Sequence, residues 1–236
     1  MHEGENLKVH VCPNGLFFLG FLVSVNEAHP QSRWVFEVGV TLPYNTPLPL
    51  LIRQSGQPDI SLAASYSSRP FEIPICWIWR IGRWSGDAGW ELQAIHHKLF
   101  LDNPPPEVDE FSISHGLNIV TVDRTWQLEE ICARIGAGIT IAHPENSVRG
   151  LRLPENPGIF NMGYYVGGPA LIAGAGRQFS LIGNFFLRCD GMVTASYSNV
   201  PVSSGTAYVW NVALHANFAV GYSLTVHAGN TRPENE

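Results

Sequence analysis

Trp34, Phe36, Val38 and Val40 alternate with smaller or charged residues along Arg33-Trp-Val-Phe-Glu-Val-Gly-Val-Thr-Leu42, and this two-residue period fits a strand and no helix. The period returns at Cys76-Trp-Ile-Trp-Arg-Ile81. Trp77, Trp79 and Ile81 share one face there, and Ile78 and Arg80 share the other. Strand-like runs recur at 181–188, 192–197, 206–216 and 218–227, separated by Gly191 and Pro201-Val-Ser-Ser-Gly205. With 23 glycines and 17 prolines in 236 residues, the chain suits many strands and turns better than long helices.

Two stretches depart from simple alternation. Over Ala88 to Phe100, Trp90, Leu92 and Ala94 alternate, while Leu92, Ile95, His96, Leu99 and Phe100 fit a helical face equally well. The flanks favour a strand. Thr125-Trp-Gln-Leu-Glu-Glu-Ile-Cys-Ala-Arg-Ile135 places Leu128, Ile131, Cys132 and Ile135 on one stripe. Asp123 or Thr125 stands at a capping position, and Gly136 follows the last turn. The pattern predicts a helix over 125–135, flanked by strands in a parallel crossover of 117–142. The expected fold is mainly β, a two-layer β-sandwich or jelly-roll-like domain with one short α-helix near 125–135. It forms a single β-rich domain over 1–236, with a soft boundary near 144–158.

Charged residues are only 14% of the chain, against about 25% in ordinary soluble domains. Apolar residues make up 45% and the formal net charge is −6. The basic residues are scattered, which argues against nucleic acid as a partner. No apolar run reaches membrane-spanning length, so no membrane span is expected. Leu16 to Val25 reads as a buried strand rather than a signal segment. Cys12, Cys76, Cys132 and Cys189 lie far apart, with no metal-binding or redox spacing.

Four of the seven tryptophans fall between Trp77 and Trp90. Trp77 and Trp79 read as core. Trp84 and Trp90, in or beside a Gly/Ser/Asp loop, read as exposed rings, and Tyr164 and Tyr165 lie in a second glycine-rich segment. Aromatic rings among small polar residues suit sugar faces or protein interfaces. The expected function is a non-enzymatic binding or assembly protein, holding carbohydrate or protein subunits as an oligomer or complex component. Two alternatives stand beside it. One is a hydrolase-like enzyme using His96, His97, His115, Asp123 and His143, with Asp123 and His143 at neighbouring strand ends. The other is a structural subunit of a large particle or filament. Adjacent His96 and His97 point to different faces, so no metal site and no cofactor are expected.

Overall fold

The computed structural model describes residues 32–154 and 157–226. The run at 16–25 and Cys12 lie outside them. Thirteen strands follow in order: β1 (Ser32–Asn45), β2 (Leu48–Gln54), β3 (Ile60–Ala64), β4 (Tyr66–Ser67), β5 (Trp77–Ser85), β6 (Ala88–Leu101), β7 (Val108–Leu128), β8 (Ile131–Ala142), β9 (Glu145–Val148), β10 (Leu151–Arg152), β11 (Tyr165–Ser180), β12 (Phe185–Val202) and β13 (Gly205–Val226).

Eight of these close a ring. β7, β8, β11, β12, β13, β1, β5 and β6 pair in that order, and β6 pairs back to β7. Every ladder in the ring is antiparallel. The chain is therefore a closed barrel, and the sandwich or jelly-roll is corrected. In a two-layer sandwich the sheet edges stay open, whereas here each backbone edge finds a partner around the circle.

The expected helix is absent. β7 runs to Leu128, Glu129 and Glu130 form a two-residue turn, and β8 starts at Ile131. Glu129 takes a left-handed φ of 54°, which two-residue hairpin turns demand. Local helical spacing loses because a helix here would break the ladders on both sides of β8. The expected parallel crossover is instead an antiparallel hairpin, with Leu117 opposite Ala142 and Leu128 opposite Ile131. The ambiguous 88–100 stretch is strand β6.

The barrel has two unlike ends. At one, Gly86-Asp87, Glu129-Glu130 and residues 181–184 make short turns, and the start of β1 pairs with the end of β13. At the other, the long strands overrun the ring and recruit partners. β13 takes on the β2–β3 hairpin, β7 takes on β9 and β10, and β6 takes on β4. The region around 144–158 thus begins as an extension of the same sheet. This overrun encloses an apolar core that includes Leu50, Ile52, Leu99, Phe111, Ile113, Leu117, Val200 and Val209. Each such side chain contributes roughly 1.5–3 kcal/mol by leaving water.

Candidate functional site

Within the ring the usual polarity is inverted. On β13, His215, Asn217 and Ala219 are buried in the lumen, while Leu214, Phe218 and Val220 face out and are exposed. β1 buries Glu37 and Thr41 and exposes Trp34, Phe36 and Val38. β8 buries Arg134 and Thr140 and exposes Ile131, Ile135 and Ile139. The same holds on β6, with Glu91 and Gln93 inside and Trp90 and Leu92 outside. The alternation is the one a strand always makes; the apolar face is the outer one.

Aromatic rings gather towards the two edges of this apolar belt. Near the short turns stand Trp34, Trp90, Trp126, Phe179 and Phe185, with Phe185 against Tyr222 at 5.0 Å. Towards the other end stand Tyr44, Trp77 and the packed pair Tyr197 and Trp210, 4.5 Å apart. Trp34 and Tyr44 are ten positions apart on one strand. At ~3.3 Å per residue and a tilt of about 40°, they bracket a band roughly 25 Å tall, the height of the apolar band in transmembrane barrels. Arginines decorate the short-turn rim. Arg124 lies over Trp90 at 5.3 Å and over Trp126 at 5.8 Å, and Arg177 lies over Phe179 at 5.6 Å and pairs with Glu130.

The lumen is filled in layers. Val35, Trp84, Cys132 and Phe186 pack together towards the short-turn end. An ion network lies beside them. Arg80 donates from Nη1 to Glu37 (2.8 Å), from Nη2 to Asp190 (2.8 Å) and from Nε to Gln93 (2.6 Å). Arg134 donates to the same Asp190 oxygen at 2.8 Å and lies 3.5 Å from Glu91, and Arg188 Nε lies 2.8 Å from Glu37. Gly136 makes room on the β8 wall, since a Cβ there would stand 1.9 Å from Asp123 Oδ1. A second apolar layer of Ile78, Ile95, Ile119, Ala170, Ile172 and Met192 follows. His215 accompanies it, bridging Thr41 (3.0 Å) and Thr194 (3.1 Å). Charges buried this deeply persist only when paired, as Arg80, Arg134 and Arg188 are with Glu37, Glu91 and Asp190, whereas the Asp123 carboxylate has no hydrogen-bond partner among the described residues.

The residues singled out from the sequence scatter through this architecture. Trp84 is only 1% exposed, with its indole N–H donating to Glu91 at 3.2 Å, so its reading as an exposed ring is corrected. It sits one position out of phase with Trp77 and Trp79, which face outward, so those two are not lumen core. Trp90 is 58% exposed, on the outer belt. His96 lies on the outer side of β6 but is buried there, stacked on Trp77 at 5.2 Å and donating to Asn118 at 2.8 Å. His97 points inward to Ser68 (3.3 Å) and edge-on to His215. Asp123 is buried in the lumen opposite Gly136, and the parallel strand ends that would have set it beside His143 do not exist.

His115 and His143 do come together, at the overrun end of the barrel. Their rings are 4.9 Å apart, and Glu145, which the sequence did not single out, joins them. His115 Nδ1 lies 2.5 Å and His143 Nδ1 3.9 Å from Glu145 Oε1. Tyr164 packs edge-on against His143 at 4.9 Å and donates its hydroxyl to the His115 carbonyl at 3.3 Å. Tyr165 begins β11, opposite Ala142. Glu145 arrives because the chain passes His143-Pro144 without reversing, so that β9 continues the line of β8 along β7, antiparallel to it.

The expected soluble binding or assembly protein, with its carbohydrate or protein-subunit partners and no membrane span, is corrected on this geometry. The aromatic, low-charge surface is no bounded patch. It encircles the ring, as a lipid-facing surface does and a docking site does not. The length test for apolar runs applies to helices and does not register strands that alternate.

No protein-family model matches the chain, and no curated protein matches it. Among solved structures, it is similar to the outer membrane protein AlkL, determined in lipid bilayers, at 11% identity over 97% of this chain and 99% of that one, with a TM-score of 0.47. It is also similar to the attachment invasion locus protein Ail of Yersinia pestis, in complex with the heparin analogue sucrose octasulfate. There the identity is 12% over 82% of this chain and 99% of the other, with a TM-score of 0.40. Neisserial surface protein A is similar at 9% identity over 81% and 96%, with a TM-score of 0.37.

Proposed function

We propose that this chain is a transmembrane β-barrel of the outer-membrane type. Its ring lies in the bilayer, and its overrun end stands clear as the working surface. One observation carries the reading: eight antiparallel strands turn their apolar side chains outward and their ions inward, between two aromatic edges. In water that arrangement would expose a continuous apolar girdle, and in lipid it satisfies every layer. Short turns at one end and recruited strands at the other match the same class. The filled lumen argues that the protein acts by what it displays, not by conducting solutes.

Reconstitution in vesicles with brominated acyl chains tests this. Fluorescence from Trp34, Trp90 and Trp210 should be strongly quenched, while Trp84, read in a variant with the other tryptophans changed to Phe, should be spared. Planar bilayers holding the protein should show no stable conductance. Quenching of Trp84 equal to that of Trp90, or a steady open channel, would sink the reading.

A second reading rests on one crevice. Pro169, Leu171, Ala195, Tyr197, Trp210 and Leu48 line an almost wholly apolar hollow of about 330 Å³ on the outer wall near the overrun end. Its occupant would be an apolar molecule drawn from the bilayer side. An environment-sensitive hydrocarbon probe should bind there, and Ala195→Trp should abolish its signal. Unchanged signal in that variant removes this second reading and leaves the first intact.

A further inference from the structure

We propose that His115, His143 and Glu145 form a binding site for a first-row divalent metal ion, Zn²⁺ being the natural occupant of such a donor set. Two imidazoles and one carboxylate offer donor atoms within 4.8 Å of one another, drawn from β7, from the residue after β8 and from the start of β9. Zinc binds nitrogen and oxygen donors at about 2.0–2.2 Å, so tetrahedral donors stand roughly 3.4 Å apart. The widest pair therefore needs to close by about 1.4 Å and the His115–Glu145 pair, at 2.5 Å, to open by about 1 Å, a rearrangement that His115, whose side chain is 57% exposed, can supply.

Three features mark the place as built for a ligand. His143 Nδ1 is shielded from solvent and makes no hydrogen bond, which leaves a lone pair or an N–H unmatched. Its backbone is fixed, because the His143 N–H donates to the Gly116 carbonyl at 3.0 Å. A bulge supplies the second imidazole. Between the pairs Leu99–Ile113 and His97–Leu117, β7 spends three residues, Ser114 to Gly116, against one on β6, and Gly116 takes a φ of 120°. A bulge of this kind re-aims a side chain, and here it delivers His115 beside His143. Three protein donors leave a fourth position for water, as in sites that are not purely structural. Imidazole donors favour zinc, copper or nickel over calcium and magnesium.

The competing account is a plain His115–Glu145 hydrogen bond with His143 as a neighbour, and the experiment separates the two. The full chain is refolded into detergent micelles or vesicles, freed of metal with chelator, and titrated with Co²⁺. Absorption bands in the visible with the intensity of a four-coordinate site should rise to one equivalent and vanish when Zn²⁺ is added. His143→Ala and Glu145→Gln should each weaken binding by more than about 100-fold, beyond the loss typical of an outer-shell partner. His115→Ala, at an exposed position, serves as the variant certain to keep the barrel, with folding checked by its resistance to unfolding in cold SDS. His96→Gln should bind as the parent does. Absence of the bands in the parent protein, or equal Co²⁺ affinity in the parent and in His115→Ala, would overturn the site.

Discussion

Arg80 of β5 and Asp190 of β12 meet across the lumen, with Arg80 Nη2 at 2.8 Å and 3.2 Å from the two carboxylate oxygens. Asp190 also accepts from Arg134 of β8 and from Asn217 of β13, so one carboxylate ties four strands together. Both Arg80 and Asp190 side chains are 1% exposed. Asp190→Ala would leave two guanidinium groups short of an anion. It should cost about 3–5 kcal/mol, as breaking a buried ion pair does. Urea unfolding of the vesicle-bound barrel measures this, and a cost below about 1 kcal/mol, the ceiling for an exposed pair, would mean that water reaches the network.

Gly136 and Asp123 are coupled by space. A methyl group at Gly136 would collide with the Asp123 carboxylate, so Gly136→Ala should destabilise the barrel by roughly 1–3 kcal/mol. The double variant with Asp123→Ala should recover part of that loss, with a coupling energy of at least about 0.5 kcal/mol in a mutant cycle. Strict additivity of the two changes would show that the β8 wall gives way instead.

Val38 stands 65% exposed near the middle of the outer belt. Val38→Arg should reduce bilayer stability by about 2–4 kcal/mol, whereas Leu128→Arg at the short-turn rim should cost only about 0–1 kcal/mol. Folding free energies in vesicles of both variants decide it. Equal and small effects would mean that the belt faces water.

The strands themselves were legible in the sequence, but the direction in which they face was not. The alternation at Trp34 to Val40 and at Trp77 to Ile81 appears in the structure with its faces grouped as the period requires. What periodicity lacks is a sign. A water-soluble sheet turns Trp77 and Trp79 inward, a lipid-facing barrel turns them outward, and the residue spacing is identical in both. The other face does not supply the sign either, because Glu37, Arg80, Glu91, Arg134 and Asp190 stand at positions that a soluble protein would give to solvent, and only their burial in the closed ring shows them to be inside. The helix at 125–135 was misread because its turn, Glu129-Glu130, carries neither Gly nor Asn, the residues by which two-residue hairpins announce themselves. At the histidine cluster, His115 and His143 were visible as residues, while the bulge in β7 and the continuation of β8 into β9 that unite them with Glu145 depend on pairing between β7, β6, β8 and β9.

The ladder between β1 and β13 runs the whole length of β1, from Ser32 opposite Val226 to Asn45 opposite Ala213. These are the first and last strands of the ring in chain order, so the circle is sealed by the two segments furthest apart in sequence. Loop-closure entropy makes such a seam the costliest contact to form and therefore a late one. Until it forms, two strands carry unpaired N–H and C=O groups, which hydrocarbon does not tolerate. In the bilayer placement proposed above, a nascent copy that lacks β13 would have no halfway state. Insertion would then await completion of the polypeptide through β13, and the seam would serve as a checkpoint on chain integrity.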